Sequence, residues 1–106
     1  MIDLARFDEL KTEVGSEDLP EILALFCVEV DETISRLHGS SPQSLLSDLH
    51  FIRGSALNIG MQTLADLCAR REEALQAGLP VDINFSEFRS AFDLSRTALE
   101  ALVNST

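Results

Sequence analysis

The chain has 106 residues, close to the commonest length for one domain, so we expect a single domain over residues 1–106. Its formal charge is −10, with 18 acidic residues against 8 lysines and arginines, which opposes binding to nucleic acid or to an anionic membrane surface. No apolar run approaches the roughly 20 residues that span a bilayer, and the N-terminus lacks a signal-peptide pattern, so we expect a cytoplasmic protein.

Apolar residues that recur with a helical period predict a short first helix over residues 2–14 and a longer second helix over 20–37. Gly15 is expected to end the first helix. Asp18, with Glu21 three residues on, is expected to cap the second. The apolar positions that share a face in these two segments are Leu4, Phe7, Leu10, Ile22, Leu23, Phe26, Val30, Ile34 and Leu37.

Residues 38–42, His-Gly-Ser-Ser-Pro, predict a break, and Ser41 followed by proline is a favourable start for a third helix over 42–59. Gly60 should end that helix, because glycine adopts the left-handed conformation that terminates helices. Projected at about 100° per residue, the third helix has one stripe that should face the core. The stripe consists of Leu45, Leu49, Ile52, Ala56 and Ile59.

Two more helical patterns cover residues 61–77 and 85–103. Their expected core positions are Leu64, Leu67, Cys68, Leu75, Phe88, Phe92, Leu94, Leu99 and Leu102. Cys27 and Cys68 fit no paired metal-ligand spacing and are expected to be buried thiols. The predicted fold is all-α, an antiparallel four-helix bundle with a short additional N-terminal helix.

His50 lies outside the core stripe of the third helix, about 120° from its centre and beside Leu46 and Leu57. We therefore expect its ring at the edge of the bundle, where an isolated histidine is commonly an ordinary boundary residue. Two neighbours favour a functional role. Arg53 shares the face of His50 and could hold phosphoryl oxygens, and we expect it to matter little for folding. Gly54 is costly inside a helix, but its missing side chain would leave the imidazole accessible.

Residues 50–60, His-Phe-Ile-Arg-Gly-Ser-Ala-Leu-Asn-Ile-Gly, resemble the signature of histidine-containing phosphotransfer (HPt) domains. In that family the phospho-accepting histidine precedes a basic residue, a glycine, a small pair and a second glycine. The likeness extends into the next helix. Leu64, Leu67, Cys68 and Glu72 fall where the family places its leucines, a small residue, and a Gln or Glu near the active ring.

Two positions depart from the family pattern. Leu49 stands where a small residue is frequent, and Arg71 stands in the apolar stripe of its helix. Arg71 is expected either to extend its stem across the core edge or to meet a carboxylate such as Glu72 or Asp66. A third alternative is that Arg71 adds positive charge near the site.

The resemblance implies that His50 accepts a phosphoryl group from a receiver-domain aspartate and passes it to a second receiver. It further implies that Arg53 neutralises charge, that Gly54 gives clearance, and that Glu72 is the candidate for orienting the ring. The chain would be a carrier with no cofactor of its own and would depend on its partners for catalysis, with magnesium supplied by the receiver.

The expected partners are response-regulator receiver domains, with a hybrid sensor kinase as a further candidate. Leu46 and Leu57 are candidates for the docking surface, with Phe7 or Leu10 as weaker ones, although each could instead be a core residue. We expect a monomer, because no long heptad seam remains after the bundle forms.

Three other functions compete with this interpretation. A sensor-kinase dimerisation helix would have Glu after the histidine, where Phe51 stands, and a di-metal carboxylate bundle would need Glu-x-x-His pairs, none of which occurs. The third alternative is a non-catalytic helical adaptor that binds receiver domains or other helices while its histidine stays silent.

Overall fold

A computed structural model describes residues 1–37 and 41–105 and contains five helices over those residues. In chain order they are α1 (Leu4–Val14), α2 (Leu19–Arg36), α3 (Pro42–Asn58), α4 (Gln62–Gln76) and α5 (Phe85–Asn104). The predicted all-α class is confirmed, and the helix bounds agree with the prediction to within two residues. His38, Gly39 and Ser40, most of the predicted break between α2 and α3, lie outside the described residues.

The four long helices form a closed ring of neighbours. α2 packs on α3, α3 on α4 and α4 on α5, and α5 returns to pack on α2. Because α3 and α4, and then α4 and α5, are joined by short connections, these neighbours run in opposite directions, as predicted for a bundle. The short helix α1 lies against α2 and α3. Within the described residues, no helix is long and apolar enough to cross a membrane.

The core runs through the centre of this ring and draws side chains from all five helices. Its largest fully buried members are Leu19, Val30, Ile34, Leu49, Ile52, Ile59, Met61, Leu64, Cys68, Phe88, Phe92 and Leu99. Leu49, Ile52 and Ala56 are fully buried, which confirms most of the stripe predicted for α3. Burial of a large aliphatic or aromatic side chain contributes about 1.5–3 kcal/mol, so this stripe fixes the rotation of α3 about its axis.

Two residues predicted for apolar faces lie on the surface instead. Leu94 is 73% exposed, because it follows Phe92 by two residues and about 200° of helix rotation and therefore points away from the core. Ser95 occupies the buried position in that turn of α5. Leu4 in the first turn of α1 is 58% exposed.

The two predicted helix starts behave differently. At α3 the Ser41 side chain accepts a hydrogen bond from the Ser44 backbone N–H at 3.2 Å, as predicted. At α2 the predicted capping box is wrong, because Asp18 has helical backbone angles and its side chain makes no capping bond. The turn is closed instead by the Leu19 N–H, which donates to the Gly15 carbonyl at 3.1 Å.

The N-terminal segment is hydrogen-bonded to the chain just after the C-terminal end of α3. Gly60, two residues beyond α3, has a φ of 79°, and its carbonyl accepts a hydrogen bond from the Asp3 N–H at 2.8 Å. A methyl group at Gly60 would lie 3.0 Å from the Asp3 carbonyl oxygen, so both conformation and space require glycine here. Arg6 donates from Nε to the Asn58 carbonyl at 2.9 Å and places a positive charge at the helix C-terminus.

Candidate phosphotransfer site

His50 lies on the outer face of α3, and its side chain is 72% exposed. The position follows from the buried stripe, because Leu49 and Ile52 on either side of it are both fully buried. Once those two residues face the core, the helix geometry turns His50 towards solvent. The predicted place at the edge of the bundle is therefore confirmed.

The neighbouring helix α4 supplies a carboxylate beneath the ring. Glu72 has an 8% exposed side chain, and its Oε1 lies 3.3 Å from Nδ1 of His50. Its other oxygen, Oε2, accepts a hydrogen bond from Arg53 Nε at 2.5 Å. A buried carboxylate is costly unless it is paired, so the guanidinium of Arg53 compensates for the burial of Glu72.

Arg53 also contacts the histidine itself, with Nη2 at 3.0 Å from Nδ1. The three side chains thus form a closed cluster across two helices, and both contacts to the ring use the same nitrogen. Nε2 is the ring nitrogen left free of these contacts on an exposed side chain. The arrangement presents one imidazole nitrogen outwards and fixes the other from below.

The space beside the ring is open at Gly54, one helical turn on from His50. A methyl group built at Gly54 would find no other part of the chain within 4 Å, outside its own helix backbone and chain neighbours. Close packing against another helix therefore does not explain this glycine.

Partly exposed apolar residues of α3 lie near His50 along the helix. Leu57 is 46% exposed and Leu46 is half-buried, so both reach the surface near His50. Sequence reasoning did not single out Phe51, which is 41% exposed and next to His50 in the chain. The signal was available, because a residue 100° from a buried neighbour leaves the core stripe.

Phe7 and Leu10 were also considered for the docking surface, and the structure contradicts that role. They are only 3% and 5% exposed. Both side chains are needed to hold α1 against the bundle, because they are its two buried residues. They are core residues.

Arg71 does not join the site. Its Nη2 donates to Glu87 of α5 at 2.7 Å, and its guanidinium lies 5.9 Å from the centre of the Phe88 ring. Arg71 meets a carboxylate, as one alternative predicted, but the named partners are wrong, because Glu72 pairs with Arg53 and Asp66 accepts a hydrogen bond from Gln62. The stem crosses the core edge as one alternative proposed, and the charge ends at the boundary of α4 and α5.

The two cysteines differ in burial. Cys68 is fully buried, and burial, followed by the nearby negative charge of Glu72, raises the pKa of its thiol to about 12. Cys27 is only half-buried, so the prediction of two buried thiols holds for Cys68 alone. Burial also raises the pKa of the Cys27 thiol. Within residues 1–37 and 41–105, no group of three His, Cys, Asp or Glu side chains is placed to hold a metal ion.

An exposed histidine fixed through one ring nitrogen on a four-helix bundle defines a protein that can accept a group at the other nitrogen. The model of the Hpt domain family matches residues 21–105, and the chain belongs to that family of histidine phosphotransfer domains. The chain is also similar to the phosphorelay protein LuxU of Vibrio harveyi, with 24% identity over 98% of this chain and 96% of that protein. No solved structure matches the chain significantly.

Proposed function

We propose that this chain carries a phosphoryl group on Nε2 of His50 between receiver-domain aspartates of a phosphorelay. The observation that carries the assignment is the contact of the buried Glu72 carboxylate with Nδ1 of a ring that is 72% exposed. The family match and the similarity to a phosphorelay protein support the relay role.

The proposed transfer step begins with His50 neutral and its hydrogen on Nδ1. The lone pair of Nε2 attacks the phosphorus of a receiver acyl phosphate, the N–P bond forms, and the bond from phosphorus to the aspartate oxygen breaks. The aspartate leaves as a carboxylate and the ring becomes a phosphorylated imidazolium. Charge is conserved, and the positive charge that develops on the ring lies next to Glu72, which stabilises it.

The same geometry supports the reverse step. The Nδ1 hydrogen stays directed at Glu72 while an aspartate carboxylate of a second receiver attacks the phosphorus and Nε2 leaves with its lone pair. The paired carboxylate beneath the ring stabilises the phosphorylated imidazolium at least as much as the transition state, so the reverse step depends on the receiver to stabilise the departing group.

Arg53 is the proposed partner of the phosphoryl oxygens. Its side chain is 35% exposed, so its guanidinium reaches solvent from its anchor on Glu72. A guanidinium is suited to phosphate oxygens, because its donors lie in one plane and remain charged. Gly54 would give the receiver clearance, and Leu46 and Leu57 would contribute apolar docking surface.

The chain is a phosphotransfer intermediate, and we propose that the remaining catalytic groups, including magnesium, come with the receiver domain. Phosphoryl transfer depends mainly on positioning and charge stabilisation, and a receiver that phosphorylates its own aspartate must already provide both for that reaction. Receiver domains, with a hybrid sensor kinase as a further candidate, are therefore the proposed partners. The adaptor alternative with a silent histidine is not favoured by the family match.

The test is transfer of radiolabelled phosphate from purified phosphorylated receivers of the same cell to the full chain. We expect one receiver to label the chain, with label that is lost in acid and retained in alkali. His50→Gln should abolish labelling, and His38→Gln is the matched control that should keep it. Label that survives in His50→Gln would show that the wrong residue has been assigned.

A further inference from the structure

The two contacts at Nδ1 of His50 require the ring hydrogen in different places. Arg53 Nη2 is a donor at every pH of interest, so its 3.0 Å contact is a hydrogen bond only when Nδ1 has a free lone pair. A carboxylate oxygen of Glu72 is an acceptor, so its 3.3 Å contact is a hydrogen bond only when Nδ1 carries hydrogen. A neutral ring satisfies one contact or the other.

We infer that Arg53 holds His50 of the unphosphorylated chain in the tautomer with hydrogen on Nε2, and that an arriving phosphoryl group releases this hold. The contact with Arg53 is the shorter of the two. Arg53 is also anchored, because its Nε donates to Glu72 at 2.5 Å and the rigid guanidinium then directs Nη2 at the ring. In this arrangement Arg53 pairs with Oε2 of Glu72 while its Nη2 donates to Nδ1, and Oε1 of Glu72 lies 3.3 Å from the same ring nitrogen.

This inference rests on the proposed function and adds a regulation of the same site. With hydrogen on Nε2, that nitrogen has no lone pair in the ring plane, so the resting histidine cannot attack phosphorus. Phosphoryl oxygens that approach the site compete for Nη2 of Arg53, because anionic oxygen is a better acceptor than a neutral ring nitrogen. When Nη2 turns to them, Nδ1 gains hydrogen and donates to Glu72.

The proton balance of this change is closed. Nε2 releases one proton to solvent and Nδ1 takes up one, so the ring stays neutral until the N–P bond forms. Arg53 then has two linked actions: it binds the phosphoryl oxygens, and by leaving Nδ1 it permits the reactive tautomer.

The tautomer can be measured directly by two-bond proton–nitrogen NMR on chain labelled with ¹⁵N-histidine, at about pH 8, where an ordinary imidazole is neutral. His38→Gln identifies the resonances of His50. We expect hydrogen mainly on Nε2 in the parent chain. In Arg53→Ala the ratio of the Nε2–H form to the Nδ1–H form should fall by about tenfold or more, as expected for loss of one charge-assisted hydrogen bond.

Two further variants separate this effect from a general change of charge or fold. Arg53→Lys keeps the charge but has a single nitrogen, which cannot pair with Glu72 and donate to Nδ1 together, so it should shift the tautomer as Arg53→Ala does. Arg70→Ala, which removes an exposed arginine of α4, should leave the ratio unchanged. Circular dichroism checks that each variant is folded.

A parent chain with hydrogen mainly on Nδ1 would overturn the inference, as would an equal ratio in the parent chain and Arg53→Lys. The result is independent of whether any receiver transfers phosphate. Failure of every receiver to label His50 would remove the proposed function while the tautomer measurement still stands. Normal labelling with the wrong tautomer would remove the inference alone.

Discussion

Variants of Gly54 best distinguish a phosphate carrier from an adaptor with a silent histidine, because Gly54 has no packing role in the structure. It is an exposed residue in the middle of α3, and an added methyl group would contact nothing within 4 Å outside its own helix backbone and chain neighbours. Gly54→Ala should therefore stabilise the fold by up to about 1 kcal/mol, from helix propensity alone. In a domain of this size that is a rise in Tm of about 4 °C.

Gly54→Gln should slow phosphoryl transfer without lowering the stability of the fold. Glutamine has good helix propensity and has open space here, so the free energy of unfolding should not fall. Its side chain stands one turn from His50, where it should hold a docked receiver away from the ring. We expect transfer to slow by about 100-fold, the scale on which a misplacement of about 1 Å impairs a positioned reaction.

The assay is initial-rate label transfer from a phosphorylated receiver at fixed concentration, with urea unfolding followed by circular dichroism. Ala98→Gln is the matched control. It adds the same side chain at an exposed position of α5, a helix that packs on α2 and α4 and carries no residue of the candidate site. Phosphoramidate, a small phosphate donor, should label Gly54→Gln almost normally. Unfolding of Gly54→Gln would refute the reasoning from open space, and transfer at the parent rate would show that receivers do not approach from this side.

Two other expectations follow from the site. Arg53→Ala should slow transfer by about 10- to 100-fold. Contrary to the expectation from sequence, it should also lower the free energy of unfolding by about 1–3 kcal/mol, because it leaves the buried Glu72 carboxylate unpaired. Transfer assays and urea unfolding test the two effects, and parent values in both would remove Arg53 from both roles. Cys68 has a raised pKa of about 12 against 9.0 unfolded, so its contribution to stability is complete below about pH 9 and is lost as pH rises towards 12. Urea unfolding across this range should show a decline that Cys68→Ala flattens more than the half-buried control Cys27→Ala, and equal slopes would contradict the assignment.

Helix positions could be predicted because their ends are encoded locally. Ser41 followed by proline starts α3 as expected, and Gly60 closes that region with the positive φ that glycine permits. Asp18 does not cap α2, and the reason could not be predicted from the local sequence. The turn after Gly15 already has helical backbone angles, so the side chain never takes the extended geometry that capping needs.

The site could be predicted only as far as one helix carries it. His50, Arg53 and Gly54 share a face of α3, and helical spacing alone brings them together. The contact with Glu72 depends on how α4 is rotated against α3, which packing decides and periodicity does not. The family resemblance pointed to Glu72, whereas nothing in the sequence pointed to the pairing of Arg71 with Glu87 across α4 and α5.

The charge of the chain makes Arg53 the central residue of this site. A phosphoryl group is an anion, and it must approach a chain of net charge −10 at a ring whose nearest ionisable neighbour besides Arg53 is the carboxylate of Glu72. That carboxylate is needed once the ring becomes an imidazolium, but before then it repels the group that is to be transferred. Arg53 resolves the conflict, because its pairing with Glu72 at 2.5 Å offsets the carboxylate during approach, and its Nη2 can turn from the ring to the phosphoryl oxygens while Nε stays on Glu72. A single arginine paired with the buried acid can therefore allow a phosphoryl group to bind at a site that would otherwise repel it.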